Sequence, residues 1–238
     1  MAKAKVVQND DDFQSLMDLA GNEYGSIVDD GINGGDVTGY VDTGSYSFNA
    51  LLSGSIYGGI ASNKITALAG EPSTGKTFYA VNVVKSFLEQ HPNGFCCYFE
   101  SESATSRKLF VERGIDAKRV HNFPVSTVQE FRTQAVKIID GYMEKKMTAP
   151  MMMVLDSLGN LSTAKEMEDI SGGKDTRDMT KAQLIKASFR VLTMKLGKAN
   201  IPLLLTNHVY DVIGSYIPMK KLAGGSGLEY AASQIVFL

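Results

Sequence analysis

The sequence predicts an α/β fold in which a mainly parallel β-sheet is flanked by helices, and three observations carry that expectation. Short, continuously apolar runs at 65–69, 95–99 and 151–155 alternate with longer segments of helical periodicity, the pattern of strands covered on both faces. Residues 70–77 read Gly-Glu-Pro-Ser-Thr-Gly-Lys-Thr directly after the first of these runs and open a helical one. With 238 residues, 44% of them hydrophobic, the chain can bury one sizeable core.

The first forty residues differ from the rest. They carry Asp10 to Asp12, Asp29 and Asp30, then Gly31, Gly34, Gly35 and Gly39, with few apolar positions, and are expected to form an acidic, Gly-rich arm over 1–40. Inside it Phe13, Leu16, Met17 and Ala20 fall at helical spacing. That short helix lies either on the chain's own core or on a neighbouring subunit; composition leaves both open.

From Lys64 a strand-helix rhythm begins. A strand at 65–69 precedes the Gly-rich loop, and a buried helix follows through Val81, Val84, Phe87 and Leu88. Next come a strand at 95–99, a helix through Leu109 and Phe110 stopped by Gly114, and a short strand at 120–123. Thr127 and Glu130 make a capping box ahead of the stripe Val128, Phe131, Ala135, Ile138 and Tyr142. After the strand at 151–155, a helix is expected over 180–196, ending at Gly197, and a strand at 202–206. The last residues, 234–238, read as a further strand without a turn or polar tail, so the chain is expected to stop where a longer protein continues.

Composition narrows the classes of function. A net charge of −2 and a pI of about 5.9 make no whole-molecule field for nucleic acid, so a DNA site must be a local basic patch. No apolar stretch reaches the length of a bilayer span and the start has no signal-peptide segment; a soluble, cytoplasmic chain without a membrane partner is expected. Cys96 and Cys97 are adjacent in an apolar run, which suits core packing in a reducing compartment. His91, His121 and His208 have no metal-ligand spacing.

The loop at 70–77 has the GxxxxGKT pattern of P-loop nucleoside triphosphatases. A Gly-rich turn at a helix N-terminus points free backbone N–H groups and the positive end of the helix dipole at an anion. Gly70, Glu71, Pro72, Ser73, Thr74, Gly75, Lys76 and Thr77 are therefore the candidate nucleotide-binding residues. Lys76 would reach the β and γ phosphates, and Thr77 would coordinate Mg2+. Asp156 closes the strand at 151–155 and is the second candidate metal ligand. Glu100 and Glu102 both follow the strand at 95–99, and spacing does not choose which would polarise an attacking water. His208 follows the strand at 202–206, either as a phosphate sensor or as an ordinary satisfied polar residue. Two loops are expected. One, at 163–179, holds Lys165, Lys174 and Arg177; the other, at 209–227, holds Tyr210, Tyr216, Lys220, Lys221, Gly224 and Gly225. Lysines suit phosphates and aromatic rings suit bases, while a solvated surface is the plain alternative for the first loop.

Taken together, residues 70–77, the Glu-Ser-Glu at 100–102, the Val-Leu-Asp-Ser-Leu at 154–158 and Thr206-Asn207-His208 ahead of Gly224-Gly225 resemble the RecA-type recombinases, and among them the strand-exchange proteins of large tailed phages. The resemblance starts near Thr43 and runs to the end of the chain. It implies a RecA-like ATPase core over 41–238, working with ATP and Mg2+ as a DNA-dependent ATPase and recombinase. It implies a homo-oligomeric helical filament on single-stranded DNA that pairs with double-stranded DNA in recombination and repair. Single-strand-binding and mediator proteins are further partners it suggests, and the host cytoplasm is the implied location. It selects Glu102 as the residue that activates water, His208 as the γ-phosphate sensor, Lys76 as the third catalytic residue, and the two loops as the DNA-binding segments. Two departures stand out. Leu109 occupies the position where bacterial relatives place an aromatic ring against adenine, and the lysines that relatives supply from a neighbouring subunit fall beyond Leu238. The same core fold also serves hexameric helicases, clock-type ATPases and nucleotide-switched DNA-binding modules, which are the alternative readings.

Overall fold

A computed structural model describes residues 10–22, 25, 27–173, 179–211 and 220–238. In chain order its elements are α1 (Asp10–Ala20), β1 (Tyr40–Val41), α2 (Tyr46–Ser53), β2 (Ile60–Ala61), β3 (Ile65–Gly70), α3 (Lys76–Gln90), β4 (Phe95–Glu100), α4 (Arg107–Glu112), β5 (Val120–Pro124), α5 (Val128–Glu144), β6 (Met151–Asp156), α6 (Ala164–Ser171), α7 (Lys181–Ala199), β7 (Leu203–Asp211), β8 (Lys220–Leu222), α8 (Gly227–Ala231) and β9 (Gln234–Phe237). The main sheet runs β5-β4-β6-β7-β3-β9, with every neighbouring pair parallel and β8 added antiparallel to β7. No helix among the described residues is long and apolar enough to cross a membrane.

The continuous apolar runs form strands because each feeds two cores. Ile65, Ala67, Cys97, Phe99, Met151, Met153 and Leu155 point to the side of α5 and α7. Their neighbours Leu68, Cys96, Tyr98, Met152 and Val154 point to the side of α3. Alternation along a strand thus buries every residue of these runs except Phe95, which is partly buried, and none can be polar without a partner. Register then aligns the carboxyl ends. Glu100 lies opposite Asp156, and Gly70 lies opposite His208, so the chemical residues gather at one rim of the sheet, where open parallel sheets bind ligands.

Four local expectations are corrected. The helix α7 does not end at Gly197 but runs to Ala199, with Asn200 in the left-handed conformation as its cap. Gly197 is there because Gly34 lies against it; a Cβ on Gly197 would stand 3.1 Å from the Gly34 carbonyl oxygen. The strand expected at 202–206 extends to Asp211, because β8 pairs Leu222, Lys221 and Lys220 with Val209, Tyr210 and Asp211. The expected loop at 209–227 is therefore in part a β-hairpin. The expected loop at 163–179 contains α6, whose Thr163 and Glu166 form a reciprocal capping box.

Part of the expected arm is tied down. Lys64 donates from Nζ to the carbonyls of Gly34 and Gly35, both at 2.8 Å, and Thr38 donates to Asn200 Oδ1 at 3.0 Å. Ahead of it, α1 leaves Leu16 63% and Leu19 84% exposed, so the chain's own core does not cover them.

Candidate nucleotide site

The strand β3 delivers Gly70 to the rim, and the loop turns tightly into α3. Gly75 caps the helix at φ 89°, a left-handed value that glycine adopts without a Cβ penalty. Lys76 is buried, and its Nζ donates to the loop's own carbonyls, Gly70 at 3.0 Å and Glu71 at 2.6 Å. Burial holds its ammonium below the ordinary lysine value, while the carboxylates of Glu102 and Asp156 pull the other way. Lys76 is thus aimed into the loop with its charge supported by two acids. A cleft of about 460 Å³ opens on it, lined by Pro72, Ser73, Gly75, Thr77, Glu102, Asp156 and His208 among others.

The two acids left open by spacing have separate positions. Glu100 is buried and its Oε1 accepts from the backbone N–H groups of Glu102 at 3.1 Å and Ala104 at 2.9 Å. It shapes the turn after β4. The strand ends at Glu100, so period-two alternation does not carry on to 102, and Glu102 faces the cleft instead. Its Oε1 accepts from Ser157 Oγ at 2.5 Å and lies 3.1 Å from His208 Nε2. Ser157 in turn is fixed to β4's end, since its N–H donates to Ser101 Oγ at 2.8 Å.

Asp156 is buried at 4% exposure, with a cis peptide to Ser157. Its Oδ2 accepts from Tyr98 Oη at 2.8 Å, and its Oδ1 accepts from Thr206 Oγ1. Burial and then the Asp156 charge push the Tyr98 phenol well above its ordinary value, so it stays a proton donor. Two hydroxyls therefore orient the carboxylate, and a carboxylate has roughly four lone-pair sites, so capacity remains for a hydrated cation. On these grounds Lys76 and Asp156 fit a triphosphate with Mg2+, and Thr77 lines the same cleft.

Sequence reading missed Tyr98, and it included Thr206 and Ser157 only as parts of the quoted motifs, with no role for either. Tyr98 sits inside an apolar strand where periodicity reads only core, and periodicity gives Thr206 no role beyond that either. Ser157 follows a motif acid, and that adjacency was the available signal.

The DNA-binding candidates divide. Lys165 is exposed on α6, and Tyr210 is 52% exposed, opposite Lys221 on the hairpin. Lys220 is bound instead to Glu71 of the phosphate loop. Gly224 and Gly225, both with positive φ, are packed under α7, where a Cβ would come within 2.7 Å of Ile185 and 2.9 Å of Ala182. Lys174, Arg177 and Tyr216 lie outside the described residues. Both segments border one cleft of about 580 Å³, lined by Glu166 from the first and by Tyr210, Gly224 and Gly225 from the second. The hairpin is joined to the nucleotide rim through β7, where Asn207 Nδ2 donates to the Ala223 carbonyl at 2.9 Å, next to His208.

A phosphate loop between a buried inner strand and a buried helix, at the carboxyl rim of a parallel sheet, defines a P-loop α/β protein. Residues 20–236 match the RecA N-terminal domain, and the chain belongs to the RecA family. It is similar to the "Recombination and repair protein" of Enterobacteria phage T4, 30% identical over 190 residues that cover 80% of this chain and 47% of that one. The RecA proteins of Paracoccus denitrificans and Campylobacter hominis are 26% and 27% identical over 80% and 81% of this chain, which cover 50% and 52% of theirs. The chain spans about half the length of these relatives.

Proposed function

We propose that this chain is the ATPase core of a DNA recombinase, over residues 41–238 with 1–40 as an arm, which binds ATP with Mg2+ and forms filaments on single-stranded DNA to promote pairing and strand exchange. The observation that carries the reading is the convergence of Lys76, Thr77, Glu102, Asp156 and His208 on one cleft whose wall, β7, continues into the hairpin. Mg2+, when bound, would supply positive charge against the phosphates. Lys76 exchanges the Gly70 and Glu71 carbonyls for phosphate oxygens, while Thr77 and Asp156 hold the cation.

Glu102 is the group for the attacking water. Ser157 and His208 hold its Oε1, which leaves Oε2 to orient the water and take its proton. His208 is the sensor in this reading. A change in its contact with Glu102 is transmitted along β7 and through Asn207 to Ala223, and so to the hairpin carrying Tyr210 and Lys221. Lys165, Lys174, Arg177, Tyr216 and, once released from Glu71, Lys220 complete the proposed DNA surface, each subunit adding a few phosphate contacts to a long filament. Exposed Leu16 and Leu19 on α1 suit a helix that packs on the next subunit.

The test is ATP turnover with and without long single-stranded DNA, with Lys76→Ala as the blank. Stimulation by DNA that the variant loses supports the reading. Unstimulated turnover, together with no ATP-dependent DNA binding, would refute it, and a ring of fixed subunit number would favour a helicase.

A further inference from the structure

The cleft on the phosphate loop has an apolar lining as well as a charged one, made by Pro72, Phe78 and Leu109, of which Phe78 is the aromatic one. Phe78 stands in the first turn of α3, one residue after Thr77, and is 58% exposed although most of the apolar side chains of that helix are buried. The guanidinium carbon of Arg113 lies 3.3 Å from the centroid of its ring. An atom that close to a centroid can only sit over a face, so Arg113 covers one face and the exposure belongs to the edge and the opposite face. Among the described residues the buried Arg113 Nε has no hydrogen-bond partner, so the aromatic ring is the contact that stands against this part of the side chain.

A lone exposed phenylalanine normally calls for no function. Its place is what argues for one. It lines the cleft that holds the phosphate loop and follows Thr77 directly in sequence, so the cleft offers an aromatic face beside the turn that would take the phosphates. Leu109 offers apolar contact there but no π face. A flat ring backed by a cation and open on its far side is a stacking platform, and purines give it the larger overlap.

We propose that Phe78 stacks on the base of a purine nucleoside triphosphate, with Arg113 as the positioning residue that holds the ring from behind. The inference rests on the phosphate-binding reading of residues 70–77 and adds the element that recognises the base.

The chain contains no tryptophan, so Phe78→Trp creates a single reporter. Its emission should fall when ATP and Mg2+ are added and should not respond to inorganic tripolyphosphate with Mg2+. In calorimetric titrations Phe78→Ala should weaken ATP binding roughly tenfold and leave tripolyphosphate binding unchanged. Arg113→Ala should show the same selectivity at smaller size, and Arg113→Lys should restore ATP affinity. Equal loss for both ligands in Phe78→Ala, or no loss for either, overturns the proposal. The phosphate reading is separated by Lys76→Ala, which should lose both ligands. If the unaltered chain binds neither, both readings fall; if it binds both through Lys76 and Phe78→Ala does not discriminate, stacking alone falls.

Discussion

Replacing Tyr98 by phenylalanine tests how Asp156 is held. The substitution deletes one oxygen and keeps the ring, including its edge-on packing with Phe110 at 5.5 Å between centroids. What it removes is a 2.8 Å hydrogen bond from a fully buried phenol to a carboxylate that is 4% exposed. A hydrogen bond to a charged group contributes about 1.5–3 kcal/mol, and burial of the abandoned acceptor places this one toward the upper end, about 2–3 kcal/mol. For a chain of this length the urea dependence is roughly 3 kcal/mol/M, so the unfolding midpoint should drop by about 0.7–1 M. Equilibrium urea unfolding followed by far-UV circular dichroism reads this directly. A double-mutant cycle with Asp156→Ala should recover a coupling of roughly 2 kcal/mol, because in that background the phenol has lost its acceptor. A midpoint shift below about 0.2 M, or a coupling near zero, would mean that water already satisfies Asp156, and the account of how it is oriented would be wrong.

Other outcomes follow from single contacts. Burial raises the Cys97 thiol to about 12 and the Cys96 thiol well above its ordinary value; both should resist an aromatic disulfide reagent at pH 8 in the folded chain and react at once in urea. The sign follows: a raised thiol value favours the neutral form, so this contribution to stability is full below the unfolded thiol pKa and is lost as pH rises toward the folded one. Glu71 is held below its ordinary value of 4.5 by the hydrogen bond from Lys220 and then by its charge. Its contact therefore persists above that value and is lost as pH falls through the lower folded one; carboxyl NMR should place its midpoint below 4.5, and Lys220→Ala should move it back up. Gly59→Ala should destabilise by more than about 2 kcal/mol in urea unfolding, because φ is +132° and the new Cβ would stand 2.1 Å from the Val41 carbonyl oxygen.

The two capping boxes show how local signals were legible. Thr127 and Glu130 were readable because an apolar stripe follows them, and both bonds are present. Thr163 and Glu166 carry the same signal, but α6 buries none of its residues, so no stripe drew attention to the helix. Gly197 misled for the converse reason. A glycine near a helix end resembles a stop, yet here it answers a close approach by Gly34, 163 positions earlier in the chain.

By itself the sequence determined whatever depends on neighbours along the chain: the phosphate loop and its helix, the doubly buried strands, and the acids that end them. These follow from backbone sterics and burial within a few residues. Only the tertiary structure separated Glu100 from Glu102, gave Asp156 its two hydroxyl donors, and brought Arg113 over Phe78. The Glu102–His208 contact joins residues 106 apart, and Tyr98–Asp156 joins residues 58 apart. Strand order and register set such meetings, and they emerge only when the whole sheet packs, because no local preference encodes which distant strand lies alongside.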